Sequence, residues 1–183
     1  MDSKTTLINE FRYEAFLTPR LLAIVPLGKA NWRPHLKSMT VIELARHIAR
    51  IPGRVTRIIT TQDWDGQDER QKWTGQGHED VEDNAMAQGD YLPDDRKILD
   101  VFDIAVLQAM KDIRSADQEN TEHNWTKREG EHMLFALPRI TAIRFLTQNH
   151  MANHKGQLRV YSRLPYMDLP GIYGYSGHSS SSP

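Results

Sequence analysis

Four stretches of this chain repeat apolar residues at three- and four-residue steps. That periodicity constrains its fold more than any other feature. The first stripe is Leu7, Phe11, Ala15, Thr18, Leu22 and Val25, closed by Pro26 and Gly28. The second opens at Thr40, with Glu43 three residues on in a capping-box pattern. It runs through Leu44, His47, Ile48, Ile51, Val55, Ile58 and Ile59, and Pro52 inside it predicts a kink or a split. The third begins near Pro93 and buries Ile98, Phe102, Ala105, Ala109 and Ile113. The fourth starts near Pro138 and passes through Ile143, Thr147, His150, His154, Leu158 and Tyr161, ending before Pro165. No convincing run of alternating strand residues separates them. The expected class is therefore all-α, a four-helix bundle with two long inter-helix connections. The first connection carries Trp64, Trp73 and His78, with a possible short helix over Glu79 to Gln88; the second carries Trp125 and the apolar run Met133 to Leu137.

The length of 183 residues suits one domain, expected over 1–176, with the low-complexity 177–183 (GHSSSSP) as a disordered tail. Cysteine is absent, which excludes a disulfide framework, a thiolate metal site and a cysteine nucleophile, and fits a cytoplasmic location. The net charge of −1 singles out no nucleic-acid or anionic-membrane partner. The longest apolar run, Leu21 to Leu27, is far too short for a membrane span, and the N-terminus lacks the apolar stretch of a signal peptide. Charge is uneven along the chain: residues 1–62 carry ten Lys/Arg against four Asp/Glu, and residues 63–103 carry four against thirteen. Such asymmetry suits intrachain packing or contact between two copies.

The chemistry lies in the histidines. His150 and His154 are four apart, so their rings leave one helix face a turn apart, and a shared ion at about 2.0–2.1 Å from each is within reach. Both sit on the inward stripe of the fourth helix, and His47 sits on the inward stripe of the second. A single inward histidine more often hydrogen-bonds a core neighbour. Three of them aimed at one interior favour a shared divalent ion, because each unpaired ring would cost roughly 1–3 kcal/mol. Glu43, one turn before His47, is either a partner of that ring, a fourth ligand or simply the capping-box glutamate. His35, His78, His123, His132 and His178 fall in turns, connections or the tail and read as surface residues.

Other motifs fail on inspection. His78-Glu79 has no second histidine at metalloprotease spacing, and only Glu129/His132 shows the di-iron Glu-x-x-His step, in a connection. Gly174-Tyr-Ser-Gly177 makes no nucleophile elbow, and there is no phosphate-cradling glycine loop. Arg46, Arg50, Arg54 and Arg57 form a basic helix face, expected to be solvated rather than to bind nucleic acid.

These residues resemble a known family. Ile24-Val-Pro26, Trp32-Arg-Pro-His35, Lys37-Ser-Met-Thr40 and Glu43-Leu-Ala-Arg-His47-Ile-Ala are similar to the N-terminal half of DinB proteins of the DinB/YfiT-like superfamily. So are Asn149-His150-Met-Ala-Asn-His154-Lys-Gly-Gln-Leu158 and Pro170-Gly-Ile-Tyr173-Gly. The resemblance covers the first, second and fourth helices and the C-terminal segment, and does not extend over about 60–135. It implies a four-helix bundle, commonly homodimeric, with His47, His150 and His154 as ligands of one divalent metal. Relatives with known chemistry use low-molecular-weight thiols, as transferases or as a maleylpyruvate isomerase with Glu-x-x-x-His on the fourth helix. Here His150 stands in place of that glutamate; a neutral ligand leaves more positive charge on the ion and favours an anionic partner such as thiolate or hydroxide.

Three protein ligands leave an open coordination position, the mark of a catalytic site. The leading expectation is transfer of a small thiol to an electrophile, as in detoxification. Metal-dependent hydrolysis is the enzymatic runner-up, and a non-enzymatic metal-stabilised stress-response bundle acting through a partner is the other class. Imidazole ligands suit zinc, nickel, iron or copper. Glu43, Gln157 and Tyr161 are helical neighbours of the ligands, and the sequence assigns no catalytic base among them.

Overall fold

The computed structural model describes residues 3–25, 27–66 and 95–164. The possible helix over Glu79 to Gln88, Trp73, His78, the segment from Pro170, His178 and the 177–183 tail lie outside the described residues.

Each apolar stripe folds as a helix. Helix α1 (Ser3–Leu22) buries Leu7, Phe11, Leu17, Thr18, Leu21 and Leu22. Helix α2 (Val41–Arg50) starts at the capping box: the Glu43 backbone N–H donates to Thr40 Oγ1 at 3.3 Å, and the Thr40 N–H donates to Glu43 Oε2 at 2.6 Å. Pro52 splits the second stripe as expected. A 3₁₀ turn, Ile51–Gly53, separates α2 from α3 (Arg54–Thr60), and Ile51, Val55, Ile58 and Ile59 stay on the buried face. Helix α4 (Asp95–Ser115) buries Ile98, Phe102, Val106, Ala109, Met110 and Ile113 and packs against α1, α2 and α3.

The second connection is not a loop, and the all-α expectation is corrected here. A short helix α5 (Gln118–Glu122) leads into β2 (Asn124–Glu129) and β3 (His132–Pro138), an antiparallel hairpin turning at Gly130, whose φ of 60° suits a residue without Cβ. Strand β1 (Asp63–Asp65) pairs in parallel with β2, giving the order β1-β2-β3. Alternation is hidden because β3 is mostly exposed and lies at the edge. Its register also slips where Lys127 opposes Phe135 while Arg128 opposes Met133, leaving Leu134 as a bulge. A bulge, with Pro138 ending the strand, is how edge strands are blunted against further pairing. Trp125 anchors the hairpin: it is fully buried, and its Nε1–H donates to Thr61 Oγ1 at 3.2 Å.

The fourth stripe is one helical run in three parts: α6 (Arg139–Ile143), a π-helical turn (Arg144–Asn149) and α7 (His150–Arg163). The wide turn rotates the faces of α7 relative to α6. Met151, His154, Lys155, Leu158 and Ser162 take the buried face, and His150 moves to its half-buried edge. Arg139 is buried beside the end of α3, with its guanidinium donating to Ile58 O (2.9 Å), Thr61 O (2.9 Å), Gln62 Oε1 (3.0 Å) and Asn120 O (3.3 Å).

The basic face of α2 and α3 is not simply solvated. The Arg57 guanidinium lies 4.6 Å and the Lys127 ammonium 3.2 Å from the Trp64 ring centre, with Arg54 at 5.7 Å. None of the described helices is long and apolar enough to cross a membrane.

Candidate metal centre

His47 reaches the interior from α2, flanked on its face by Leu44 and Ile48, which are fully buried. His150 and His154 reach it from the first two turns of α7, which packs against α2. The three rings meet. His47 Nε2 lies 2.9 Å from His150 Nε2, and His154 Nε2 lies 3.1 Å from the same atom. Ring centres are 4.5–5.1 Å apart, and one ligand atom from each residue lies within 4.8 Å of the others. His47 and His154 are 7% and 9% exposed, and His150 is half-buried.

This donor set fits a divalent ion. Nitrogens held at about 2.0–2.1 Å from one ion, at ligand angles of roughly 90–110°, stand about 2.9–3.4 Å apart, which matches both close contacts. Protons alone serve the arrangement poorly. His154 Nδ1 lies 2.8 Å from Gln157 Oε1 and donates its proton there, so His154 Nε2 presents a lone pair to the cluster. His150 Nε2 can carry only one proton, yet it faces two ring nitrogens. A cation accepting all three lone pairs satisfies every contact.

Of the other residues near the site, Glu43 is spent on the helix cap and does not join the three-histidine cluster. Tyr161 packs edge-on against Trp32, with ring centres 5.9 Å apart. Gln157 is the neighbour that matters. Its spacing, three residues after His154, is the only sequence signal for it. His35, His123 and His132 are exposed, as expected of surface residues.

One further polar residue escaped the sequence reading. Lys155 is almost fully buried and pairs with Glu14 of α1. Burial lowers its ammonium pKa from the ordinary lysine value, and the hydrogen bond and charge of Glu14 partly restore it. Thr147, in the π-helical turn, is fully buried.

No protein-family model and no curated protein matches the chain. Among solved structures, it is similar to the crystal structure of a DinB-like protein, YjoA, from Bacillus subtilis, with a TM-score of 0.61 at 14% identity. The likeness covers 91% of this chain and 96% of that one. The chain thus has a DinB-like fold, mostly helical with a small three-stranded sheet.

Proposed function

We propose that this DinB-like chain holds one divalent transition ion on His47, His150 and His154, and that it is an enzyme activating a small thiol for transfer to an electrophile. The observation that carries the reading is the convergence of three imidazole nitrogens at ion-sharing distances from two helices. When bound, the ion would supply Lewis acidity that favours the anionic, nucleophilic form of a thiol or water at neutral pH. The chain's own residues do the rest. His47 and His154 are the buried anchors, Gln157 fixes which nitrogen of His154 carries the proton, and half-buried His150 marks the side a small molecule reaches.

The engagement of Glu43 in the cap favours an open coordination position over a closed structural site. We read the four helical limbs as the four-helix arrangement of DinB proteins and the working form as a cytoplasmic homodimer, in a compartment where small thiols are kept reduced.

Elemental analysis of freshly purified protein tests the site: about one ion per chain is expected in the wild type, with sharp loss in His154→Ala. The loaded protein is then offered small thiols with a panel of model electrophiles. Conjugation supports the transferase. Ester or amide cleavage without thiol would identify the hydrolase instead. Neither activity, with the ion required only for folding, would leave the non-enzymatic bundle.

A further inference from the structure

We infer that the exposed face of α4 is the contact between two copies of this chain, packed antiparallel across a two-fold axis. The inference deepens the homodimer read above by naming its surface; it rests on that reading and does not need the ion. Helix α4 buries one side, on Ile98, Phe102, Val106, Ala109 and Ile113. The opposite side carries Asp100, Ile104, Leu107 and Lys111 at steps of four, three and four, which makes one straight stripe. All four are exposed, Ile104 by 67% and Leu107 by 70%. Along one flank of the stripe, Val101, Ile104, Ala105 and Gln108 line, with Gly53, an open and mostly apolar groove of about 330 Å³. Ile104 belongs to both stripe and groove, so the two form one continuous face.

The order of residues along the stripe selects a second copy as the occupant. A two-fold contact is self-complementary: where one residue meets another on the partner, the second meets the first in return. Two antiparallel stripes, with the axis beside residues 105 and 106, set Ile104 against Leu107 of the partner subunit, twice. The same register sets Asp100 against Lys111 of the partner subunit, again twice. Apolar layers then lie at the centre with opposite charges outside them, an arrangement that fixes register between helices. Within one chain Asp100 and Lys111 stand about 16.5 Å apart along the helix and cannot meet. Neither side chain forms a hydrogen bond or ion pair with any described residue. Of the other exposed apolar side chains, Phe16 lies under the Arg20 guanidinium at 4.4 Å, and Phe145 packs edge-on against Phe135. Met133 and Leu134 sit on the blunted edge strand.

Sedimentation velocity across a micromolar concentration series tests the face, with a dimer expected for the wild type. Leu107→Glu should weaken it about a hundredfold or more, because the change removes two apolar contacts and sets a carboxylate beside Ile104 of the partner subunit twice. Asp100→Lys and Lys111→Asp should each weaken it about tenfold, since each sets like charges opposite one another at both ends. Combining the two restores opposite charges in reversed order and should return affinity close to the wild type's. Phe16→Glu and Met133→Glu should leave the dimer unchanged. Every substituted residue is exposed, so far-ultraviolet circular dichroism should match the wild type and separate loss of contact from loss of fold. A monomeric wild type refutes the homodimer and this inference together, and leaves the face to a partner other than this chain. A dimer that survives Leu107→Glu overturns the inference and leaves the homodimer standing; its dissociation by Phe16→Glu or Met133→Glu would move the contact to α1 or β3. Failure of the double exchange to regain affinity overturns the antiparallel register and the inference with it.

Discussion

The hydrogen bond from His154 to Gln157 allows a graded test of the metal centre. The perturbations are Gln157→Leu and Gln157→Glu. Both residues have helix propensity close to glutamine's, and position 157 is exposed, so neither change disturbs packing. In the wild type the 2.8 Å bond from His154 Nδ1–H fixes the tautomer that turns the Nε2 lone pair toward the histidine cluster, where it would meet the proposed ion. Removing such a partner typically costs 10–100-fold in metal affinity. Here the acceptor is a neutral amide at a solvent-exposed position, which places the expected loss in Gln157→Leu at the low end, about tenfold or 1.4 kcal/mol. Glutamate in its place accepts a charge-assisted bond, makes the ring a better donor to the ion and should raise affinity several-fold. Zinc competition against a chromophoric chelator at fixed pH measures both. The order Glu, Gln, Leu from tightest to weakest is expected. Equal affinity in all three variants, beside clear loss in His154→Ala, would refute the role given to Gln157.

Protons compete with the ion for imidazole lone pairs, so ion content in dialysed protein should fall as pH drops toward about 5, while His123→Ala retains ion like the wild type. Arg139→Met should destabilise the chain by about 3 kcal/mol in urea unfolding, because it strips charged donors from four oxygen acceptors around the end of α3. A loss under about 1 kcal/mol would contradict that account. Glu14→Gln leaves the buried Lys155 ammonium without its counter-charge and should cost about 3 kcal/mol at neutral pH, whereas Lys155→Met should cost far less. Since the Lys155 pKa is lowered on folding, the unfolded chain binds more protons between the folded value and 10.5. Wild-type stability relative to Lys155→Met should thus rise with pH across that window and be flat below it; a falling difference would reverse the assignment.

The sequence alone carried the helices and the three histidines that cluster, because both are written in local spacing. Each stripe, such as Leu7-Phe11-Thr18-Leu22, encodes one buried face at the helical period, and Thr40 with Glu43 encodes its own start. Pro52 encodes the split through geometry it imposes wherever it stands. His47, His150 and His154 were legible because each occupies a position where an apolar residue was due. The sheet was not legible. Asp63–Asp65 finds its parallel partner at Thr126–Arg128, and a largely exposed edge strand needs no alternation. The π-helical turn carries no signature either, yet it moved His150 to the half-buried edge while His154 stayed inside. Nothing in local spacing marks Arg139 and Lys155 as buried, and only the fold surrounds them with carbonyls and with Glu14. Periodicity states which side of an element is buried. What lies opposite that side is decided by packing between segments distant in sequence, and the meeting of the three imidazoles at one point belongs to that second kind of information.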